Sequence, residues 1–320
     1  MQNESSMRIL VLGAGATGGY YGARLQQAGA QVRFLVRERR RGQLRERGLV
    51  VRSALGDMSL PAASLSRDEL AGAAAQADVV LLTCKAFELD EAMDTIAPAV
   101  AAGALVLPVI NGMEAYTRLD KRFGRDKVLG GIAYIATMLM PDGAIQHFGP
   151  NDVFVVGARA ASQEPVAQRF HELIARTPGM RRLSADIEQE LWEKWVMLAS
   201  GATATTLMRG SVSEILRAAG GEAVIRQAID EVTKVASMSG HPPGPASVVM
   251  VERVLLDPAS PWAASMARDI TAGIPRLESQ AILGDLIAQA KLVGAAVPLL
   301  QTAYCALQVY EAQRAAASAK

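Results

Sequence analysis

Apolar and polar positions follow two different rhythms along this chain. In the first half, short runs rich in β-branched residues alternate with stretches of helical spacing. Strands are predicted over residues 8–12, 31–36, 78–83, 104–109 and 128–138, with a helix over 16–28 and further helices between the earlier strands. Runs such as Val79-Val80-Leu81-Leu82 are apolar throughout, as in parallel strands covered on both faces. Residues 143–157 read as two short strands around the Gly149-Pro150 turn, closing the sheet.

From about residue 185 the spacing is helical almost to the end, broken by Pro- and Gly-containing loops at 241–245 and 257–261. Ser260-Pro261 resembles an N-cap followed by proline at the first helical position, which predicts a helix starting there and running through Trp262. The chain therefore divides into an α/β domain over 1–184 and an all-helical domain over 185–320. The Pro178-Gly179 region is the expected hinge.

Composition narrows the function classes. The 320 residues suffice for two cores, and half are apolar. Thirty-three basic residues oppose thirty-two acidic ones, so no broad field draws in nucleic acid or an anionic membrane. The start over 1–6 is polar and lacks a basic leader pattern, and the greasy stretch over 195–208 is too short to span a bilayer. Cys84 and Cys305 stand alone, which suits a reducing cytoplasm, and Cys84 reads as a small core residue. The histidines His147, His171 and His241 share no ligand spacing, so no metal is assigned. The apolar helices after residue 210 offer a surface for a homodimer.

Gly13-Ala14-Gly15-Ala16-Thr17-Gly18 follows the first strand and opens the first helix. The first glycine permits a tight turn, the second lets the backbone approach a pyrophosphate, and the third lets helix and strand pack closely. Unpaired N–H groups at the helix start, among them those of Ala16 and Thr17, face the anion. In this strand–turn–helix setting the loop predicts a Rossmann domain. At the end of the second strand, where NAD-binding chains carry an acidic residue, this one reads Val36-Arg37-Glu38-Arg39-Arg40-Arg41. Arg37 suits the 2′-phosphate of NADP, so NADP is favoured over NAD. At least two of Arg39, Arg40 and Arg41 are expected to be a solvated helix start.

Four further segments, taken with that loop, resemble the ketopantoate reductase (2-dehydropantoate 2-reductase) family over nearly the whole chain. These are Thr83-Cys84-Lys85-Ala86, Ile110-Asn111-Gly112-Met113, Glu190-Leu191-Trp192-Glu193-Lys194, and, more loosely, Ser265-Met266 through Asp269 to Leu277-Glu278. The resemblance implies a helical domain like the C-terminal part of 6-phosphogluconate dehydrogenase. It also implies NADPH-dependent reduction of a small 2-oxo acid, ketopantoate in pantothenate biosynthesis being the leading candidate. Lys194 would be the general acid and Glu278 would hold the substrate or the lysine. Asn111 would lie between nicotinamide and substrate, Lys85 at the cofactor and Ser265 at the substrate carboxylate. Burial beside Trp192 and Trp195 should lower the pKa of Lys194, with Glu278 opposing, so the ammonium form is expected at rest.

Simpler roles stay open for the same residues. Lys194 could be a surface lysine whose stem covers apolar neighbours, Glu278 a helix-start carboxylate, Asn111-Gly112 a turn, and Ser265 an exposed helix residue. The sequence also departs from the family. Asparagines often stand four and eight residues after the catalytic lysine, where this chain has Leu198 and Ala202, with Ser200, Thr203 and Thr205 as candidates to compensate. One extra residue lies between Asp269 and Glu278. A sister reductase for another 2-oxo acid or an imine, or a non-catalytic NADP sensor, are the competing readings.

Overall fold

The computed structural model describes residues 6–318, so positions 1–5 of the polar start lie outside the described residues. The described residues form two compact units, one of residues 6–110 and 116–188, the other of residues 111–115 and 189–318.

The first unit begins with β1 (Arg8–Leu12), α1 (Ala16–Gln27), β2 (Gln31–Leu35) and α2 (Glu38–Arg47). It continues through β3 (Leu49–Arg52), β4 (Met58–Leu60), β5 (Ser64–Leu65), β6 (Val79–Leu82), α3 (Leu89–Ala101), β7 (Leu105–Pro108) and most of α4 (Glu114–Phe123). It ends with β8 (Gly130–Leu139), β9 (Ile145–Gly157), α5 (Glu164–Ile174) and β10 (Met180–Ser184). One parallel sheet has the order β5-β2-β1-β6-β7. β6 and β7 are buried at every position, as the uninterrupted apolar runs predict for strands covered on both faces. This is a Rossmann-like domain.

The predicted single sheet is in fact two. The strand expected from Val128 meets the first sheet at one bridge, Val106–Val128, and from Gly130 onward pairs antiparallel with β9. β9 also pairs parallel with β10 and β3, and β3 pairs antiparallel with β4. The exposed outer stretch of β8 separates it from the fully covered strands, and the hairpin of β3 and β4 carries too few residues for a clear period. The two short strands expected around Gly149-Pro150 are one ladder with a break. Ile135 faces Asp152 and Thr137 faces His147, so residues 148–151 bulge out opposite Ala136. Pro150 has no N–H to give a ladder, which places it in that bulge.

A buried polar cluster binds the second sheet to α1. Tyr20 and Tyr21 donate to Asp152 at 2.7 and 2.8 Å, and Arg181 grips the same carboxylate through both terminal nitrogens at 2.8 and 2.6 Å. Burial pushes Asp152 up, but Arg181 and the tyrosine hydroxyls outweigh it and hold the carboxyl below its usual range. Pro178-Gly179 is the turn between α5 and β10 inside this unit, so it does not mark the boundary where a hinge was expected.

The second unit is helical: most of α6 (Ile187–Met208), then α7 (Val212–Arg217), α8 (Gly221–Met238), α9 (Pro245–Leu255) and α10 (Ser265–Thr271). A π-turn (Gln280–Gly284) leads into α11 (Asp285–Val293), and α12 (Pro298–Ser318) follows. Ser211 caps α7 in a reciprocal box with Glu214, and buried Glu231 on α8 accepts the N–H groups of Leu299 and Leu300 at the start of α12. The helix expected to start at Pro261 starts instead at Ser265. Residues 260–262 stay outside the helix and their carbonyls serve α7, Ser260 O accepting from Ser213 N and Trp262 O from Val212 N. Among the described residues no helix is long and apolar enough to cross a membrane.

Candidate active site

In the first unit three of the predicted positions come together through strand order. The glycine loop follows β1, Arg37 follows β2 and Lys85 follows β6, and β2-β1-β6 are neighbours, so all three stand at the carboxyl edge of one parallel sheet. That edge is where open α/β sheets bind ligands.

The loop itself fits a dinucleotide. Gly13 adopts φ +87°, and a methyl group added at Gly13 or Gly15 would meet nothing within 4 Å, so the backbone faces open space. Gly18 is the reverse: a methyl there would lie 2.6 Å from the Gly13 carbonyl and collide with Thr83. Helix α1 starts with Gly15 as its cap and no side chain on its first N–H groups, leaving those of Ala16 and Thr17 for an anion. Gly13 N donates to Leu35 O at 2.9 Å, which pins the loop to β2.

Arg37 caps α2 and its side chain is 74% exposed, the guanidinium paired with Glu91 at 2.9 Å and Glu88 at 3.6 Å. Two of the following arginines are not the solvated helix start expected of them. Arg41 pairs with Glu69, and Arg40 turns back under the loop. Its Nε donates to Ala14 O and one terminal nitrogen to Gly143 O, both at 2.8 Å. Burial lowers its pKa. Only Arg39 is the exposed member of that trio. Lys85 is exposed at the start of a 3-10 turn, and Cys84 is only partly buried.

The second unit holds Asn111, Lys194, Ser265 and Glu278. Lys194 lies on α6 between Glu193 and Trp195, with only 7% of its surface exposed. Burial lowers its pKa and the Glu278 carboxylate raises it; the balance is about 8. The ammonium thus predominates at neutral pH, as expected from the sequence. Glu278 is itself buried and immediately precedes the π-turn region. That turn is tied to α6, because Trp195 Nε1 donates to Ile282 O at 3.0 Å. Such turns recur at functional sites.

Two supports were not visible in the sequence. Glu311 on α12 accepts from Leu277 N at 2.8 Å and from Ser279 Oγ at 2.7 Å, fixing the chain on both sides of Glu278. Gly112, at φ +88°, leaves no room for a Cβ against the Ala281 carbonyl, so the Asn111-Gly112 turn rests directly on the π-turn. The loop after α8 is laid on α6 as well. The rings of His241 and Trp192 stack 5.0 Å apart, and Gly244 N donates to Glu193. Ser265 is the exposed first residue of α10.

Residues 9–161 match the family model described as ketopantoate reductase PanE/ApbA, and residues 186–311 match that of its C-terminal domain. YkpB of Bacillus subtilis, an uncharacterized oxidoreductase, is 32% identical across 96% of this chain and all of its own. A 2-dehydropantoate 2-reductase of Nostoc is 25% identical, over 93% of each chain. Among solved structures, D-mandelate dehydrogenase with NADH and anilino(oxo)acetate superposes with a TM-score of 0.84 at 20% identity, covering 96% of this chain and 99% of that one, a likeness of fold.

Proposed function

The chain belongs to the ketopantoate reductase family of oxidoreductases, and from that premise we propose that it reduces a small 2-oxo acid to the 2-hydroxy acid with NADPH. The observation that carries the reading is the buried Lys194 ammonium, its pKa brought to about 8 beside Glu278. An ordinary lysine gives up its proton too reluctantly to serve as an acid at neutral pH, whereas this one is charged yet poised to release it. Binding alone needs neither residue, which argues against a sensor.

In this reading the glycine loop and the start of α1 hold the pyrophosphate, and Arg37 exchanges its carboxylate partners for a 2′-phosphate. Lys85 contacts the cofactor from the end of β6. A bound nicotinamide supplies the hydride. Lys194 passes its proton to the ketone oxygen as negative charge develops there, and Glu278 steadies the ammonium until transfer. Asn111 orients the ketone and Ser265 receives the substrate carboxylate. Ketopantoate, reduced to pantoate on the way to pantothenate, is the first acid to assay. The two free cysteines suit the reducing cytoplasm.

The test is NADPH consumption across a panel of 2-oxo acids, with and without amines. Turnover without amine is expected, and Lys194→Met should lower kcat by about a hundredfold or more while NADPH still binds. Unchanged turnover in that variant would refute the acid assignment, and strict dependence on an amine would make the substrate an imine.

A further inference from the structure

We infer that the substrate of this chain carries an apolar side chain with no hydroxyl, read by Leu198 and Trp262; this deepens the reductase reading and rests on it. Successive α-helical residues turn by about 100°, so Leu198, Gly201 and Thr205 all lie within roughly 40° of Lys194 on one stripe of α6. Whatever extends from the ketone along that stripe meets Leu198 and then the residues that cover the buried Gly201 and Thr205.

None of them offers a free polar group. Leu198 is apolar and only partly buried. Gly201 is covered by Trp262, whose ring lies so close that even a methyl group at 201 would collide with it. Thr205 is spent twice, its Oγ1 donating to Gly201 O at 2.7 Å and accepting from Ala264 N at 3.2 Å. That last bond ties the segment carrying Trp262 to α6, and Trp262 O accepting from Val212 N at 2.9 Å ties it to α7. Ala202 is 1% exposed and sits in the core.

The remaining hydroxyls of α6 cannot substitute. Thr203 and Thr206 donate to Ala199 O and Ala202 O at 2.8 and 2.7 Å, and Ser200 is fully buried on another flank. By helical spacing all three point at least about 120° away from Lys194. A substrate hydroxyl placed here would lose water and gain no partner from α6, which disfavours it. An apolar branch or ring would bury its surface on Leu198 and the Trp262 indole.

Two acids isolate the hydroxyl. Ketopantoate and 3,3-dimethyl-2-oxobutanoate differ only in a hydroxymethyl against a methyl group. The dimethyl acid should have the higher kcat/KM, by about tenfold or more, with phenylglyoxylate also accepted. Leu198→Asn should shift the ratio toward ketopantoate by about tenfold. A wild-type kcat/KM for ketopantoate equal to or above that of the dimethyl acid would overturn the inference, as would an unchanged ratio in folded Leu198→Asn. The wild-type ratio decides the matter even where the variant fails to fold. Turnover of neither acid, nor of any 2-oxo acid in the panel, would instead remove the reductase reading on which the inference stands.

Discussion

Glu311 fixes Glu278 without touching the reacting groups: its two carboxylate oxygens take Leu277 N and Ser279 Oγ, the donors on either side. Bonds to a charged acceptor are the stronger kind, and Glu311→Gln weakens both. The variant should lose about tenfold in kcat with little change in cofactor affinity. A merely structural defect would leave the pH profile alone. If Glu278 drifts from Lys194, its raising influence fades, and the falling limb of kcat should move to lower pH by about half a unit to one unit. Steady-state kinetics across pH reads both effects.

Lys194 sets a pH dependence of its own. A lysine is charged below its pKa, so proton donation should be fully available below about 8 and decline above it. Reduction should therefore slow by about tenfold per unit well above that value, while oxidation of the hydroxy acid, which needs the neutral amine, should gain. Stability shifts in the opposite sense to reduction. The folded pKa lies below the ordinary 10.5, so between about 8 and 10.5 the unfolded chain holds a proton that the folded one has released, and stability rises with pH across that window. Paired reduction and oxidation rates over this range check the first point, and denaturant titrations the second.

In the proposed reading, the choice of NADPH rests on Arg37. Arg37→Ala should weaken NADPH by about tenfold or more and leave NADH nearly unchanged, since a charged hydrogen bond contributes about 1.5–3 kcal/mol. Glu91→Gln removes a competing partner and should tighten NADPH by about twofold, the scale of an exposed ion pair. Equal effects of Arg37→Ala on both cofactors would remove the reason for choosing NADP. Fluorescence titration of each reduced cofactor measures this.

The Asp152 cluster predicts a loss of stability. Asp152→Asn leaves the Arg181 guanidinium buried against a neutral amide, which should cost about 3 kcal/mol. Removing both charges in the double variant Asp152→Asn, Arg181→Met should recover part of that loss. Chemical denaturation of the single and double variants checks it.

What the sequence made legible depended on how locally each feature is encoded. The glycine loop and β1 are contiguous, and their pattern alone identifies the dinucleotide fold. Lys194 and Glu278 lie far apart in sequence, and only the resemblance to a family joined them. Glu311 stands on the last helix with no local signal, because its role comes from two backbone neighbours brought to it by packing. Arg40 was hidden in a run of arginines where composition suggested solvent. Ser260-Pro261 has the chemistry of a helix start, yet tertiary pairing with α7 uses its backbone otherwise. The threonine hydroxyls of α6 have the chemistry to meet a substrate, yet they are spent on the helix's own carbonyls, while Ser200 is buried on another flank.

Arg40 carries a consequence for how this fold responds to electrolyte. Mobile ions shield charges that stand in water and hardly reach one packed beneath a loop. The cation behind Ala14 should go on attracting a diphosphate in concentrated salt, whereas the largely exposed Arg37 should not. Preference for the phosphorylated nucleotide should then shrink as ionic strength rises, with grip on the shared diphosphate persisting.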